Sequence, residues 1–170
     1  EEELLNLDNL SYAANQDNLS EISSDKRYYF VQGSITELDL LVALLNENEP
    51  RAIINFAAES HVDRSIENPD EFVSSNINGT HTLLKAAQSF WEGLNLEKKE
   101  KFRYIQISTD EVYGSLNLND SKSKESDAYF PNSPYSASKA SGDHLVRAWH
   151  ETYDFPAITT NCTNNYGPFQ

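Results

Sequence analysis

The sequence predicts an α/β protein in which a doubly wound parallel sheet carries helices on both faces. Short apolar runs alternate along the chain with stretches of helical periodicity, and clusters of polar residues follow several of these runs. Strands that alternate with helices are typical of such a sheet. Ligands bind these sheets at the carboxyl ends of the strands, so the functional residues are expected directly after each strand.

Five apolar runs are predicted to be strands, because they are short, rich in β-branched or aromatic residues, and bounded by turn residues. They cover residues 4–8, 28–32, 51–57, 102–107 and 156–160. The first run ends at an acidic residue, Asp8. Polar clusters follow the third and fourth runs, where a binding site is expected.

Three stretches are predicted to be helices. Residues 36–49 carry apolar residues at i, i+3, i+4 and i+7, and Pro50 ends this stretch. The apolar positions of its buried face are Leu38, Leu41, Val42 and Leu45. Apolar residues of the same period extend over 69–91, which favours one long helix, and a third helix over 134–153 begins with proline. Residues 115–126 lack this period and are predicted to form an exposed loop.

The composition excludes several classes of function. The net charge of −14 disfavours nucleic acid as a partner, because its phosphates would be repelled. The single cysteine, Cys162, excludes an intrachain disulfide framework and a cysteine-based zinc cluster. It follows a β-branched run and is expected to be a packed core thiol. No apolar run is long enough to cross a bilayer and no signal segment opens the chain, so no membrane contact and a cytoplasmic location are expected.

A tyrosine and a lysine lie four residues apart in the third predicted helix, where residues 135–139 read Tyr-Ser-Ala-Ser-Lys. Residues i and i+4 share one helix face, so the Lys139 ammonium can lie near the Tyr135 phenol. A nearby positive charge favours the phenolate, and a lowered phenol pKa would let Tyr135 take a proton from a hydroxyl group. The spacing by itself often occurs by chance, and alone it favours a surface pair over a catalytic one.

Two adjacent carboxylates follow the fourth predicted strand, where residues 107–114 read Ile-Ser-Thr-Asp-Glu-Val-Tyr-Gly. In a turn, Asp110 and Glu111 can both point into one cleft. Two carboxylates in different environments can divide the roles of acid and base. The alternative is a solvated strand-to-loop junction in which Asp110 caps a turn.

Further polar clusters follow the third and the first predicted strands. Residues 57–65 read Ala-Ala-Glu-Ser-His-Val-Asp-Arg-Ser, and the small residues among them let a flat or anionic ligand approach the backbone. His61 and Asp63 are too few for a metal site, so His61 is expected to be structural, and Arg64 is expected to pair with a carboxylate rather than a phosphate. Asp8 either accepts hydrogen bonds from the ribose hydroxyls of a dinucleotide or caps a turn.

Together these motifs resemble the extended short-chain dehydrogenase family of NAD-dependent epimerases and dehydratases. The segments that carry the resemblance are 57–65, 108–114 and 135–139. More narrowly, the chain resembles the nucleotide-sugar 4,6-dehydratases of this family, those that act on dTDP-glucose above all. The narrower resemblance rests on 144–149 (His-Leu-Val-Arg-Ala-Trp), on 160–168 (Thr-Asn-Cys-Thr-Asn-Asn-Tyr-Gly-Pro), and on the adjacent acidic pair, which plain epimerases lack.

The resemblance implies a reaction in which bound NAD is reduced and then restored while a nucleotide-linked glucose loses water. Tyr135 would take the proton of the sugar 4-hydroxyl, and Lys139 would lower the Tyr135 pKa and hold the nicotinamide ribose. Glu111 would remove the proton at C5, and Asp110 would protonate the departing 6-hydroxyl. Thr109 would hydrogen-bond the reacting sugar. Two further residues would touch the substrate, Ser60 and Asn164.

By the same resemblance, the NAD site is lined mainly by residues that follow the first three predicted strands. The set is Asp8, Asn9, Leu10, Ser11, Ser34, Ile35, Phe56, Ala57, Ala58, Glu59, Ser60, Ser75, Tyr135, Lys139 and Asn165. Three positions depart from the family pattern: Asn9 replaces a lysine, Ala14 a glycine and Ser34 an aspartate. The aspartate expected at position 34 would hold the adenine amino group.

No Gly-x-x-Gly-x-x-Gly pattern occurs in the 170 residues, although the family carries one. We therefore expect residues 1–170 to be a partial, Rossmann-like NAD-binding domain, with the first strand, the glycine-rich loop, the first helix and the C-terminal substrate domain outside the chain. In the strand order 3-2-1-4-5-6 the first strand is central, so the other strands should form two groups with unpaired inner edges. On its own such a chain is expected to bind NAD weakly and to turn over little substrate.

The motifs leave three other functions open: a UDP-sugar 4,6-dehydratase, a nucleotide-sugar epimerase, and a non-catalytic remnant that serves as a binding domain. The missing glycine pattern favours a remnant, whereas the intact tyrosine, lysine and acidic pair favour an enzyme. The expected partners are a nucleotide-sugar substrate and a second copy of the protein. Relatives pair through their two long helices, which correspond to 69–91 and 134–153.

Overall fold

The computed structural model describes residues 2–168, and within them it contains five β-strands. These are β1 (Leu4–Asp8), β2 (Tyr28–Gln32), β3 (Ala52–Asn55), β4 (Arg103–Thr109) and β5 (Ala157–Cys162). Every predicted strand is present. β3 is shorter than predicted, because the backbone leaves the sheet at Phe56, and both β4 and β5 extend beyond their predicted ends.

Helices of very different lengths connect the strands. They are α1 (Leu38–Asn48), α2 (Val62–Glu67), α3 (Pro69–Phe72), α4 (Thr80–Gly93), α5 (Leu96–Lys101) and α6 (Pro134–Tyr153). The single helix predicted over 69–91 is wrong in one respect, because a π-helical segment, Val73–Gly79, separates α3 from α4. The short helices α2 and α5 were not predicted. Residues 115–126 contain neither helix nor strand, which confirms the predicted loop.

The strands form two separate parallel sheets. In the small sheet, β1 pairs with β2, with Leu4 opposite Tyr28. In the large sheet the order is β3-β4-β5, with β4 in the centre. Within residues 2–168, β1 and β3 do not pair with each other, so each sheet keeps an unpaired edge. The predicted α/β class and the predicted division of the strands into two groups are both confirmed.

An aromatic cluster forms the centre of the core. Phe155 packs against Phe102, Tyr104 and Trp91, with ring centroids 5.7–6.0 Å apart. Leu41 and Leu45 of α1 are buried in the same core, but Val42 is 38% exposed. Val42 was predicted on the buried face, and this prediction is wrong. The face of α1 that packs against the core is narrower than the apolar spacing indicated.

Several side-chain contacts connect the small sheet to the rest of the molecule, among them that of Leu7, which packs against the main core. Ile35, which follows β2, is buried against Gly79 at the end of the π-helical segment. A Cβ atom at Gly79 would lie 2.7 Å from Ile35 Cδ1, so only glycine lets the two segments approach this closely. The Arg64 guanidinium lies 3.6 Å from the centroid of the Tyr12 ring, and an exposed ion pair joins Arg51 to Glu2. Exposed ion pairs contribute little, so the apolar packing of Ile35 and Leu7 against the core contributes more to this link.

None of the helices described between residues 2 and 168 has the length and apolar character required to span a membrane.

Candidate active site

Helix α6 begins with a capping box that fixes the orientation of its first turns. Ser133 and Ser136 each accept a hydrogen bond from the other's backbone N–H, both at 3.0 Å. Pro134 occupies the first turn, where its missing N–H costs nothing. This start directs Tyr135 and Lys139 inward, and they are only 9% and 5% exposed. They are not the surface pair that the spacing alone allowed.

The adjacent carboxylates follow β4 in a short 3₁₀ helix, Asp110–Tyr113, here named the acidic turn. Thr109 Oγ1 accepts a hydrogen bond of 3.2 Å from Glu111 N and so caps this turn. The sequence allowed Asp110 as the capping residue. The cap is instead Thr109, whose hydroxyl also donates to Asp110 Oδ1 at 3.5 Å, and both Asp110 and Glu111 line the cavities beside the turn.

Gly114 ends the acidic turn with φ of 90°, a conformation that side-chain-bearing residues rarely adopt. A Cβ atom there would lie 2.5 Å from the carbonyl oxygen of Phe130. Gly114→Ala is therefore expected to lower the free energy of unfolding by about 2 kcal/mol. Gly93→Ala is the matched control, since a Cβ at Gly93 meets no atom within 4 Å. Urea titration of both variants measures the difference, and equal midpoints would contradict the prediction.

A buried amide, Asn76, ties the loop after β3 to helix α6. Its Oδ1 accepts from Glu59 N at 2.8 Å, and its Nδ2 donates to Glu59 O at 2.9 Å and to Ser138 Oγ at 2.8 Å. Ser138 Oγ in turn donates to Tyr135 O at 2.7 Å. Asn76 was not predicted as a site residue. Its signal in the sequence is an amide four residues after Phe72, on the face of the predicted helix that carries its apolar residues.

The carboxyl ends of the large sheet's strands open into a cleft of about 520 Å³. Predicted site residues line it, namely Phe56, Ala58, Ser60, Thr109, Glu111, Tyr135, Lys139, Asn164 and Asn165. Asp110 and Glu111 line a second cavity of about 750 Å³ on the other side of the acidic turn. Glu111 therefore borders both cavities, and the structure brings the tyrosine, the lysine and the acidic pair together at one edge of the sheet.

The remaining predicted cofactor residues lie outside the lining of this cleft. Asp8 Oδ1 accepts from Leu10 N at 2.7 Å, and Asn9 Oδ1 accepts from Ser11 N at 3.1 Å. Asp8 therefore stabilises a turn, one of its two predicted roles. Ser34 N donates to Glu37 at 2.7 Å at the same end of the small sheet. Four others are not in the lining: Ile35, Ala57, Glu59 and Ser75.

Burial raises the pKa of the Tyr135 phenol above its ordinary value of 10.0. A hydrogen bond with Thr109 acts in the opposite direction, and the charges of Glu111, Asp110 and Asp143 raise the pKa further. The sequence predicted that Lys139 would lower this pKa. That prediction is wrong for this structure, because the Lys139 Nζ donates to the carbonyl of Ile107 at 2.6 Å. The phenol nevertheless lies within the field of both carboxylates of the acidic turn.

Burial also shifts the pKa values of two other groups in the cleft. The pKa of Glu111 is raised, first by burial and then by the neighbouring Asp110 charge. The pKa of Lys139 is lowered by burial, and the Asp143 carboxylate opposes this shift. A raised carboxyl pKa and a lowered ammonium pKa bring both groups closer to neutral pH, where they can exchange protons.

Two predictions for residues near the cleft have different outcomes. Cys162 is partly exposed and lines the cleft, so the expected packed core thiol is wrong. Arg64 pairs with Glu71 at 3.5 Å, which agrees with the predicted carboxylate partner. In the part of the chain that the structure describes, no three His, Cys, Asp or Glu side chains are grouped as metal ligands.

The fold and the cleft define a Rossmann-like α/β protein whose tyrosine–lysine helix faces an acidic turn at the carboxyl ends of parallel strands. The chain belongs to the family described as GDP-mannose 4,6 dehydratase, whose sequence profile matches residues 1–170.

Individual relatives agree with this membership. The dTDP-glucose 4,6-dehydratase of Xanthomonas campestris pv. campestris is 50% identical over 166 residues, covering 98% of this chain and 47% of that protein. The solved dTDP-glucose 4,6-dehydratase of Streptomyces venezuelae, with NAD bound, is 45% identical with a TM-score of 0.87, covering 99% of this chain and 48% of that one. The UDP-glucuronic acid 4-epimerase of Bacillus cereus is 25% identical with a TM-score of 0.84, covering 99% and 50%. The chain spans about half the length of the curated relatives it matches.

Proposed function

We propose that the chain supplies the NAD-binding and catalytic part of a dTDP-glucose 4,6-dehydratase, which converts dTDP-glucose to dTDP-4-keto-6-deoxyglucose. The observation that carries the proposal is the shared location of Tyr135, Lys139 and Glu111 around one cleft. A dehydration of this kind needs one base for a hydroxyl, a second base for a carbon acid, and an acid for the departing oxygen. The identity to named dehydratases supports the choice of substrate.

The residues of the cleft fit a dinucleotide at its nicotinamide end. Ala58 and Ser60 are small, and the backbone of Glu59 is held on both sides by Asn76, which gives a flat wall after β3. Lys139, which also lines the cleft, offers an ammonium. We propose that the residues that hold NAD are those inferred from the sequence, from Asp8 in the small sheet to Asn165 beyond β5. When bound, NAD would supply a hydride acceptor and the positive charge of its oxidised ring.

Each remaining step is assigned to a residue of the chain. Tyr135 accepts the proton of the sugar 4-hydroxyl, and Thr109 Oγ1 orients the phenol and the sugar. The raised pKa of the Tyr135 phenol favours its protonated form, so base action requires positive charge close by. Glu111 removes the C5 proton once C4 is a ketone. Asp110 gives its proton to the departing 6-hydroxyl oxygen, so that one water leaves and a 4-keto-5,6-ene remains. The hydride removed from C4 would return to C6, and Glu111 would return its proton to C5, which gives the 4-keto-6-deoxy product.

The assignment of Glu111 as a base predicts the acid side of the pH profile. Because its pKa is raised above the ordinary 4.5, the protonated form persists to higher pH. Only the ionised form accepts the C5 proton, so exchange of the C5 hydrogen with solvent should fall as pH is lowered through this raised pKa. The half-maximum of C5 exchange is expected above pH 4.5. A half-maximum at or below that value would contradict the role of Glu111.

Product analysis tests the proposed function itself. The protein that carries this chain at its natural length is incubated with NAD and dTDP-glucose, UDP-glucose or GDP-mannose in parallel. A product from dTDP-glucose that lacks the 6-hydroxyl and carries a 4-ketone supports the proposal. An epimer that keeps the 6-hydroxyl identifies an epimerase, turnover of UDP-glucose alone identifies a UDP-sugar dehydratase, and binding of NAD without turnover identifies a binding domain. Each of these three outcomes rejects the proposed reaction.

We also propose that the protein acts in the cytoplasm as a homodimer, paired through α4 and α6. Both helices expose polar and small residues away from the core, among them His81, Lys85, Ala137 and Arg147. Sedimentation of the natural-length protein measures the oligomeric state. A monomer at micromolar concentration would reject the dimer without affecting the proposed reaction.

A further inference from the structure

Helix α6 carries a buried carboxylate, Asp143, that the proposed reaction does not use. Asp143 lies one helical turn after Lys139 and is 3% exposed. Its Oδ2 accepts a hydrogen bond from Ser108 Oγ at 2.5 Å and one from Tyr129 OH at 3.2 Å. Its Oδ1 is buried and has no hydrogen-bond partner among the described residues. A buried carboxylate with a free oxygen is costly unless a positive charge compensates it.

The Lys139 ammonium donates to the Ile107 carbonyl and acts on Asp143 through space, where its positive charge lowers the pKa of the carboxyl. Residues i and i+4 of a helix share one face, so Asp143 and Lys139 are neighbours in the interior of the protein. Burial lowers the pKa of Lys139, and the Asp143 carboxylate is the main charge that opposes this shift. Burial raises the pKa of Asp143 to about 6, while Ser108, Lys139 and Tyr129 act in the opposite direction. The other titratable groups that interact with Asp143 are His144, Tyr104, Tyr113 and Tyr135.

The hydrogen-bond partners of Asp143 lead to the acidic turn. Tyr129 OH accepts from Asn161 Nδ2 at 3.3 Å, and Asn161 Oδ1 accepts from Tyr113 OH at 3.2 Å. The rings of Tyr113 and Tyr129 pack edge to face with centroids 5.1 Å apart. Tyr113 is the last residue of the acidic turn. A continuous set of contacts therefore connects α6 with the segment that carries Asp110 and Glu111.

The second partner connects Asp143 to the other side of the cleft. Ser108 immediately precedes Thr109, the cap of the acidic turn and the hydrogen-bond partner of Tyr135. Asn161 Nδ2 also donates to Thr109 O at 3.3 Å. Asp143 thus holds β4 through Ser108 and the segment before α6 through Tyr129. Both contacts converge on the residues that flank the reacting sugar in the proposed function.

We propose that Asp143 is a positioning residue that keeps Lys139 charged and fixes helix α6 relative to the acidic turn. The inference deepens the proposed function and rests on it for the identity of the reaction. Asp143 itself does not touch substrate or cofactor; it acts through Lys139, Ser108 and Tyr129.

The test follows the Lys139 ammonium directly, without reference to turnover. The natural-length protein is labelled with ¹³C at the lysine Cε atoms, and the Lys139 signal is assigned by its loss in Lys139→Met. In Asp143→Asn the pKa of Lys139 is expected to fall by about one unit, because an opposite charge in the interior is removed. Tyr129→Phe is the matched control: it removes a hydrogen bond to Asp143 and keeps the carboxylate. The Lys139 pKa should not fall in this control, and an unchanged pKa in Asp143→Asn would overturn the proposal.

A measurement on the unaltered protein covers the case in which Asp143→Asn does not fold. As pH is lowered, Asp143 becomes protonated near pH 6 and its charge is lost. The Lys139 Cε signal should show a step at that pH, well below its own titration. A His144→Gln variant must keep this step, because His144 would otherwise be its source. Absence of the step, or its loss in His144→Gln, would overturn the proposal.

The pH dependence of activity provides a further readout, which a merely structural role of Asp143 would not change. Asp143→Asn is expected to lower kcat about 10-fold with little change in KM, and to shift the alkaline limb of the rate profile to lower pH by the same amount as the Lys139 pKa. Tyr129→Phe should lower kcat without moving that limb. If the Lys139 signal behaves as expected and dTDP-glucose is not converted, the positioning role stands and the proposed function fails. If dTDP-glucose is converted and the limb does not move in Asp143→Asn, the positioning role fails.

Discussion

Tyr135→Phe is expected to lower kcat for dTDP-glucose about 10³-fold and to leave KM within about two-fold, because a correctly placed proton acceptor contributes on this scale. The phenol is buried and lines the cleft beside Thr109. Its ring packs edge to face against that of Phe72, with the ring centroids 6.3 Å apart. Phenylalanine keeps the ring and its packing while it removes the oxygen. The loss therefore measures chemistry and not a change of fold.

The measurement is a single-turnover assay that follows reduction of bound NAD by its absorbance. In Tyr135→Phe the reduced cofactor should not form, because the 4-hydroxyl keeps its proton and the hydride cannot leave C4. Tyr153→Phe is a matched control at the far end of the same helix, where the tyrosine is 46% exposed. Wild-type formation of reduced cofactor in Tyr135→Phe would remove this residue from the reaction.

Glu111→Gln is expected to lower kcat at least about 10²-fold by blocking a later step. The glutamine keeps the shape of the side chain between the two cavities and removes its ability to take the C5 proton. Reduced cofactor should still form, since oxidation at C4 precedes this step. Exchange of the C5 hydrogen with deuterated water should be lost. Glu21→Gln, far from the large sheet's cleft in sequence, is a control for loss of one negative charge.

Asp110→Asn separates the two members of the acidic pair. This variant should keep C5 exchange, because Glu111 is intact, and should lose release of the 6-hydroxyl, because no proton reaches the leaving oxygen. Reversed behaviour of the Glu111 and Asp110 variants would exchange their roles. Loss of both activities in both variants would indicate that the acidic turn acts as a unit, and the separate assignments would be rejected.

Much of the fold follows from local rules that a sequence displays. Helix α6 has its observed bounds because Pro134 sets the first turn and Ser133 caps it. The strands follow from β-branched and aromatic runs, and their separation into two sheets follows from the order of parallel strands in this class. The acidic turn follows the carboxyl end of β4 directly, and the tyrosine–lysine helix faces that end of the sheet. The two therefore meet at one edge of the sheet.

The remainder depends on tertiary contacts that no local pattern reports. Asn76 and Asp143 are buried polar residues, and their side-chain partners lie 14 to 62 residues away along the chain. The direction of the Tyr135 shift was predicted wrongly because i, i+4 spacing places Lys139 on the same face but does not determine which oxygen its ammonium binds. Helices α2 and α5 were missed because each has only six residues and no apolar period.

The contact between Ile35 and Gly79 constrains how this family can vary. Because Gly79 has no side chain, the segment after β2 can pack closely against the π-helical segment. A Cβ atom at position 79 would lie 2.7 Å from Ile35 Cδ1. A homologue with alanine at that position must move the segment outward or shorten the side chain at position 35 to valine or alanine. The two positions should therefore covary across the family, although 44 residues separate them.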